Sequence, residues 1–308
     1  MTDPARPPAG PASLPFRGRT AEPPPQVEPA PAGARPSRGP TDDPRVVVVQ
    51  DGRVRRGGEV SLSALDPGLL AGVGVFETMR VRRGRVVALE QHLARLADGA
   101  HALGLRRLPN EQQLLVEISL AQTTLGEDEA VLRVSLTAAG ALWVRATPAP
   151  PPRAALAAAS APSLCLSLAG IKHMSRAVGH AALSAARASS SGPVDELLWR
   201  EPGGGLLEGT WSNVLAVHGG VIWTAPTDGR ILPGVTRSRA LAAAAALGLP
   251  VRLAPPLAAG LDELWCMSSV QGLVPVVVLD EQPAPGAGPV GRALAAALDP
   301  ADGGAPAR

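Results

Sequence analysis

Tyrosine is absent from the 308 residues, phenylalanine occurs twice, and aromatic residues together make up 2% of the chain. Lysine is nearly absent too: of 29 basic residues, 28 are arginine and one is lysine, Lys172. A chain drifting toward arginine can fill its solubilising and ion-pairing roles with guanidinium, but a guanidinium stays protonated and cannot act as an amine nucleophile. The surviving lysine therefore stands out. The two cysteines, Cys165 and Cys266, are 101 residues apart. That spacing supplies neither a metal-ligand pair nor a disulfide framework, and both read as core thiols of a reducing compartment. The five histidines show no metal spacing, so no metal is expected. Long apolar runs are missing: the longest, Ala240 to Val251, is too short and alanine-rich to span a bilayer. The first ten residues lack the basic-then-apolar pattern of a secretory signal, which points to the cytoplasm. With a formal net charge of +2 and no prominent basic block, no electrostatic footprint points to nucleic acid or to an anionic membrane. Small-molecule chemistry is the default for a chain that is 45% hydrophobic and 18% charged.

Residues 1–44 hold 13 of the 33 prolines without apolar periodicity, a composition that cannot offset its ordering entropy and reads as disordered. The tail, 301–308, reads the same way. RVVVVQDGRV predicts two short strands around an Asp51-Gly52 turn, and GVGVFETMRV a longer strand that returns through Arg83-Gly84. Leu93, Leu96, Ala100 and Leu103 recur at helical spacing, predicting a helix from Glu90 to about Leu103. A second helix fits Asn110 to about Thr123, and AVLRVSLT and ALWVRATP read as paired strands. The Pro/Ala-rich stretch 148–162 reads as a linker. Beyond it come a strand SLCLSL, a helix from His173 or Met174 to about Ala188, strands in VDELLWRE, LLEG and NVLAVHGGVIWT, an Ala-rich helix after Gly234, further short strands, and a helix near Val290 to Leu298. Strands and helices mixed in two blocks indicate an α/β or α+β protein with a cleft between domains.

Lys172 follows a predicted apolar strand, where a low-dielectric setting lowers an amine's pKa and favours the neutral form that makes a Schiff base. Glu208, between apolar strand residues and Gly209, needs a cationic partner or marks a ligand; a strand-end glutamate in solvent is the plainer alternative. Pro233-Gly234 opens a helix whose first amides, at Val235 and Thr236, are unpaired and suit an anion, although the same pair also makes an ordinary turn. Ser268 and Ser269 stand at a strand end, and Arg95 lies on the polar side of its helix. The Gly72/Gly74 pair is not a dinucleotide loop, because Glu77 stands where a third glycine belongs and the context is a hairpin. No serine sits on a nucleophile elbow.

In order from about Val46 to Leu279, GVGVFETMRV, LEQHLARL, LRVSLT, GIKHMSRA, DELL, LLEGTWSNVLAV, the IWTAP hairpin, ILPGVTR and SSVQGLVPV resemble the class IV aminotransferases. That family uses pyridoxal 5'-phosphate and includes branched-chain and D-amino acid aminotransferases and 4-amino-4-deoxychorismate lyase. The resemblance implies a D-amino acid aminotransferase-like fold. Its small α+β domain would span 45–147 and its larger α/β domain 163–300, with the cofactor in the cleft and a homodimer partner completing the pocket. By motif, Lys172 would carry the cofactor as a Schiff base and shuttle the proton. Glu208 would pair with the pyridine nitrogen, and Arg95, Val235, Thr236 and Ser269 would hold the phosphate. Within the family the pattern is most similar to the lyase, which releases 4-aminobenzoate and pyruvate in folate biosynthesis. Branched-chain enzymes usually carry a tyrosine five residues after the lysine, where this chain has Ala177. The family's Thr-Arg-Gly after LRVSL is here Thr137-Ala138-Ala139-Gly140, so the carboxylate-binding arginine must be sought elsewhere, with Arg145 and Arg176 as candidates. The alternatives are an aminotransferase acting on a D- or branched-chain amino acid, and a non-catalytic relative.

Overall fold

The computed structural model describes residues 43–163 and 168–298. Apart from its last two residues, the extension 1–44 lies outside that range, as do the tail 301–308 and most of the expected strand SLCLSL, Cys165 included.

The first half builds a six-stranded antiparallel sheet from β1 (Val47–Gln50), β2 (Arg53–Arg56), β3 (Gly74–Arg82), β4 (Arg85–Val86), β5 (Ala130–Thr137) and β6 (Leu142–Pro148), in the order β2-β1-β6-β5-β3-β4. The β1–β2 and β3–β4 turns put both central residues at positive φ, Asp51 and Gly52 in one and Arg83 and Gly84 in the other. That geometry matches the twist of a two-residue hairpin. Helices α2 (Leu89–Ala102) and α3 (Glu111–Leu125) cover one face. Val75, Met79 and Val81 of β3, with Leu132, Val134 and Leu136 of β5, meet Leu96, Ala100, Leu114 and Ile118 there. Asn110 caps α3 by accepting from the Gln112 amide at 2.9 Å. A short helix that the periodicity did not suggest, α1 (Pro67–Ala71), is announced by its ends: Asp66 accepts from Gly68 N, Pro67 opens it, and Gly72 closes it in the left-handed region.

The second half is a nine-stranded sheet. Six strands close into a ring: β7 (Leu156–Pro162), β8 (Glu196–Arg200), β9 (Leu206–Gly209), β10 (Asn213–His218), β13 (Glu263–Ser268) and β14 (Gly272–Leu279). The strands β11 (Val221–Thr224) and β12 (Val251–Leu253) extend it beyond β10, and β15 (Gln282–Pro283) pairs with β14. Period-two alternation sorts the core. Val214, Ala216, Leu264 and Cys266 point into the ring, whereas Leu215, Val217, Trp265 and Met267 point out, under α5 (Val235–Ala246) and α6 (Pro289–Leu298). Inside the ring, burial pushes the Cys266 thiol up to about 12, so it is an inert core group. Helix α4 (Ala177–Ser189) packs on β8 through Leu183.

Two sequence expectations need correction. The second half of the expected linker 148–162 is strand β7, paired in parallel with both β14 and β8. Its run LAAASAP has few β-favouring side chains, so its strand conformation is set by pairing on both sides and not by local propensity. Helix α4 starts at Ala177 instead of His173 or Met174, because the backbone at 172–174 is spent on β3. Phe76 N donates to Lys172 O at 3.0 Å and Met174 N to Gly74 O at 2.8 Å. Among the described residues no helix is long and apolar enough to cross a membrane, and no group of three or more His, Cys, Asp or Glu residues could hold a metal.

The crossing of β3 and the Lys172 segment is close. A Cβ added at Gly74 would lie 2.6 Å from both Leu136 O and Met174 Sδ. Gly74→Ala should therefore destabilise the protein by about 1–3 kcal/mol in urea unfolding, since one of the two obstacles is backbone.

Candidate active site

Along β3, Glu77 shares the parity of Val75 and Met79, which places a fully buried carboxylate in an apolar layer. It stays ionised because α2 meets it. His92 Nδ1 lies 2.7 Å from Glu77 Oε2, and Arg95 donates from Nε to Oε1 at 2.7 Å and from Nη2 to Oε2 at 2.8 Å. Burial alone would raise this carboxyl; the hydrogen bonds from His92 and Arg95, with the charges of Arg95 and Lys172, outweigh it and hold the pKa at about 2. The third arm of Arg95, Nη1, donates to Pro233 O at 2.9 Å, tying α2 to the turn that opens α5.

The opposite face of β3 walls a cavity of about 630 Å³ between the two sheets, where Phe76, Thr78 and Arg133 face residues of the ring. Lys172 Nζ stands 5.0 Å from the centre of the Phe76 ring. Burial lowers its pKa to about 8; Glu77 opposes the shift, and Arg95, Arg176 and Arg133 reinforce it. An amine so placed is about one-tenth neutral at pH 7, far more than an ordinary lysine, and the neutral form is what attack on a carbonyl requires.

Glu208, the last residue but one of β9, lines the same cavity. Its Oε2 accepts from Leu232 N at 2.9 Å and from Asn213 Nδ2 at 3.3 Å, and Asn213 also donates to Leu232 O at 3.0 Å. No cation forms an ion pair with Glu208 among the described residues. Burial raises its pKa to about 7 against the pull of the Leu232 amide, Arg176 and Lys172. A second buried carboxylate, Glu196 on β8, builds the turn that follows: it accepts from Thr210 N at 2.9 Å, from Thr210 Oγ1, and from Ser212 Oγ at 3.0 Å.

The anion corner is at α5. Gly234 occupies the N-cap position and no side chain caps the helix, so the first amides at Val235 and Thr236 remain open. Arg95, Ser268 and Ser269 line the same cavity.

Of the residues named from sequence, Lys172, Arg95, Glu208, Val235, Thr236, Ser269 and Arg176 line this one cavity. Arg176 is already engaged there, donating to Thr210 O with its Cζ 4.8 Å from the Trp211 ring centre. Arg145 is not on the wall; it is exposed on β6, opposite Arg133 of β5. Arg133, Glu77, His92, Glu196 and Asn213 escaped the residue-by-residue reading. A signal for Glu77 existed, in a carboxylate at apolar parity followed by a histidine and an arginine three positions apart on the next helix.

The comparisons agree with this geometry. The family model for class IV amino-transferases matches residues 74–279. A Methanocaldococcus jannaschii protein assigned as a branched-chain-amino-acid aminotransferase is 28% identical over 244 residues, 72% of this chain and 84% of that protein. A hypothetical aminotransferase from Mycobacterium tuberculosis, in its pyridoxal-phosphate-bound form, superposes with a TM-score of 0.74 at 26% identity, covering 83% of this chain and 98% of that one. A Legionella pneumophila protein assigned as a 4-amino-4-deoxychorismate lyase superposes with a TM-score of 0.72 at 19% identity, covering 79% and 96%, a likeness of fold. The fold is that of the fold IV transaminases. The chain belongs to the class IV aminotransferase family, whose members are pyridoxal-phosphate enzymes acting on small molecules.

Glu208 yields a pH test. In the cofactor-free protein it keeps its proton to about pH 7, whereas an unfolded glutamate loses it near 4.5, so the site costs stability as pH rises between those values. Glu208→Gln should match the wild type in urea unfolding near pH 4 and exceed it at pH 8 by on the order of 3 kcal/mol.

Proposed function

We propose that the cavity binds pyridoxal 5'-phosphate and catalyses its reaction with the amine of a small carboxylated substrate. One observation carries the reading: the only lysine of the chain, its pKa lowered to about 8, shares a cavity with a carboxyl that has no ion-pair cation among the described residues and with an uncapped helix N-terminus. An amine, a carboxyl awaiting an N–H⁺ donor and an anion corner fit the aldehyde, the pyridine nitrogen and the phosphate. When bound, the cofactor supplies an electrophilic carbon and an electron-accepting ring. Lys172 Nζ would hold that carbon and, when the substrate amine takes its place, would be free to accept and return a proton. Glu208 accepts from the pyridine N–H, with Asn213 and the Leu232 amide fixing its orientation. The amides of Val235 and Thr236, the Thr236 and Ser269 hydroxyls and Arg95 receive the phosphate, and Glu77 keeps Arg95 aimed at that corner.

For the substrate, 4-amino-4-deoxychorismate is the leading choice. Lys172 would take the proton from the ring carbon bearing nitrogen, and the enolpyruvyl group would depart, gain a proton and leave as pyruvate beside 4-aminobenzoate. Ala177 in place of the branched-chain tyrosine supports this choice, as does Arg133, a cavity-wall guanidinium with no carboxylate ion pair among the described residues. The likeness to a branched-chain aminotransferase assignment over 244 residues favours the second reading, transamination. A second copy of the chain is proposed to complete the pocket, beside half-exposed Trp211 and the exposed Leu69 and Leu70 of α1.

The test supplies cofactor-loaded protein with enzymatically generated aminodeoxychorismate and follows both products. Equimolar 4-aminobenzoate and pyruvate, lost at least about a thousand-fold in Lys172→Ala, is the expected outcome. Production of an oxo acid from amino donors without 4-aminobenzoate would establish the transaminase instead. Undiminished turnover in Lys172→Ala would overturn both.

A further inference from the structure

Three consecutive prolines, Pro150 to Pro152, stand in the stretch of chain that passes from the six-stranded sheet to the nine-stranded one, between the end of β6 and the start of β7. Proline carries no N–H, so this linker cannot pair with a neighbouring strand through its own amides. Its ends are tied conventionally. Ala149 N donates to Glu129 O at 3.0 Å, and Asp195 accepts from Arg153 Nη1 at 2.8 Å and from Ala157 N at 3.0 Å. Its middle is held by one side chain. Gln271, in the turn between β13 and β14, accepts from Arg153 N at 2.9 Å and donates from Nε2 to Pro151 O at 3.2 Å. A carboxamide carries an acceptor and a donor side by side, so it can replace the strand edge that the prolines forgo.

The same turn reaches the first sheet and the anion corner. Arg80 of β3 donates from Nη1 to Val270 O at 3.3 Å, and its other arm is held by Glu129 at 2.6 Å. Glu129 therefore anchors both the arginine that grips the turn and the first residue of the linker. Gln271 N donates to Ser268 Oγ at 3.2 Å, which braces the turn from within. Ser269 and Gln271 line the cavity from this turn, and Pro150 and Arg153 line it from the linker. Two residues separate the hydroxyl at the anion corner from the side chain that seats the linker.

Resting on the reading of Ser269 as a phosphate ligand, we propose that Gln271 is a positioning residue that couples occupancy of the anion corner to the seating of the linker as a wall of the cavity. An anion taken by Ser269 fixes the turn, and the fixed turn keeps the Gln271 carboxamide opposite Pro151 O and Arg153 N. The coupling runs equally in reverse: a linker released from Gln271 leaves the turn freer and the corner weaker toward phosphate.

The bond between exposed Arg153 and Ala154 is the probe, because trypsin cuts there only when the backbone leaves its hydrogen bonds. Cleavage at that bond is followed by mass spectrometry in the full chain, unloaded, with inorganic phosphate, and with pyridoxal 5'-phosphate, whose uptake is read from its absorbance. In wild type both ligands should slow the cut, pyridoxal 5'-phosphate by about ten-fold. Gln271→Met, of similar length but without the carboxamide, should be cut about ten-fold faster than wild type when unloaded, since two hydrogen bonds are lost. Its cleavage should change less than about two-fold on loading, and it should bind the cofactor several-fold more weakly. A Gln271→Met protein cut no faster than wild type at Arg153, or faster at every tryptic site alike, would overturn the proposal. So would a wild type that takes up the cofactor and is cut at the same rate, a result that needs no variant and leaves the reading of the corner intact. Uptake of neither ligand would overturn that reading and the coupling with it.

Discussion

Two backbone hydrogen bonds, from the Phe76 amide to the Lys172 carbonyl and from the Met174 amide to the Gly74 carbonyl, lay the lysine's segment against β3 as an added antiparallel partner. Backbone pairing fixes position far more rigidly than a long side chain can, so the amine is located by the strand it docks on. The two faces of β3 then divide the work. Phe76 and Thr78 line the cavity where the lysine lies, and Glu77, on the other face, holds the arginine that reaches Pro233 and the start of α5. The amine end and the anion end of the site are thus in register with one another through a single strand, and Gly74 is the point at which that strand has no room for a side chain.

The contrast between Glu77 and Glu208 shows how environment assigns roles to chemically identical groups. Glu77 is fully buried and Glu208 partly so, and desolvation drives both upward. Glu77 is met by His92 and by two arms of Arg95 and ends at about 2; Glu208 receives two neutral N–H donors and ends at about 7. The first is satisfied within the protein and serves as structure. The second is satisfied only in part, which suits it to the proposed role of accepting from a positive N–H supplied by the cofactor.

Much of the fold was legible in sequence because it is written locally. The Asp51-Gly52, Arg83-Gly84 and Gly219-Gly220 turns, the spacing of Leu93, Leu96 and Ala100, and Asn110 before α3 each name their structure within a few residues. The lysine was legible through composition and Glu208 through its apolar flanks. What was not legible depends on tertiary pairing. β7 is a strand only because β14 and β8 enclose it, and α4 begins late only because β3 claims the residues before it. Arg133 looked like any arginine on an alternating strand until the sheet register set it opposite Arg145 and the ring walled it into a cavity. Arg176, one of the two arginines singled out, is on the wall but occupied by Thr210 and Trp211.

The ring of the second sheet closes through a single residue pair, Glu208 with Asn213, after which β10 leaves β9 and pairs with β11 through Ala216 to His218. The seam of the ring and the carboxyl of the site are therefore the same place. A group held at once by Glu208, by Lys172 and by the first turn of α5, as proposed, would add a bridge to the hydrogen bonds that already join Glu208 and Asn213 to Leu232, so that loading the site and sealing the seam would form one equilibrium. With the proposed cofactor bound, part of the binding free energy would appear as resistance to local opening, and amide hydrogen exchange between Leu206 and Asn213 is expected to slow.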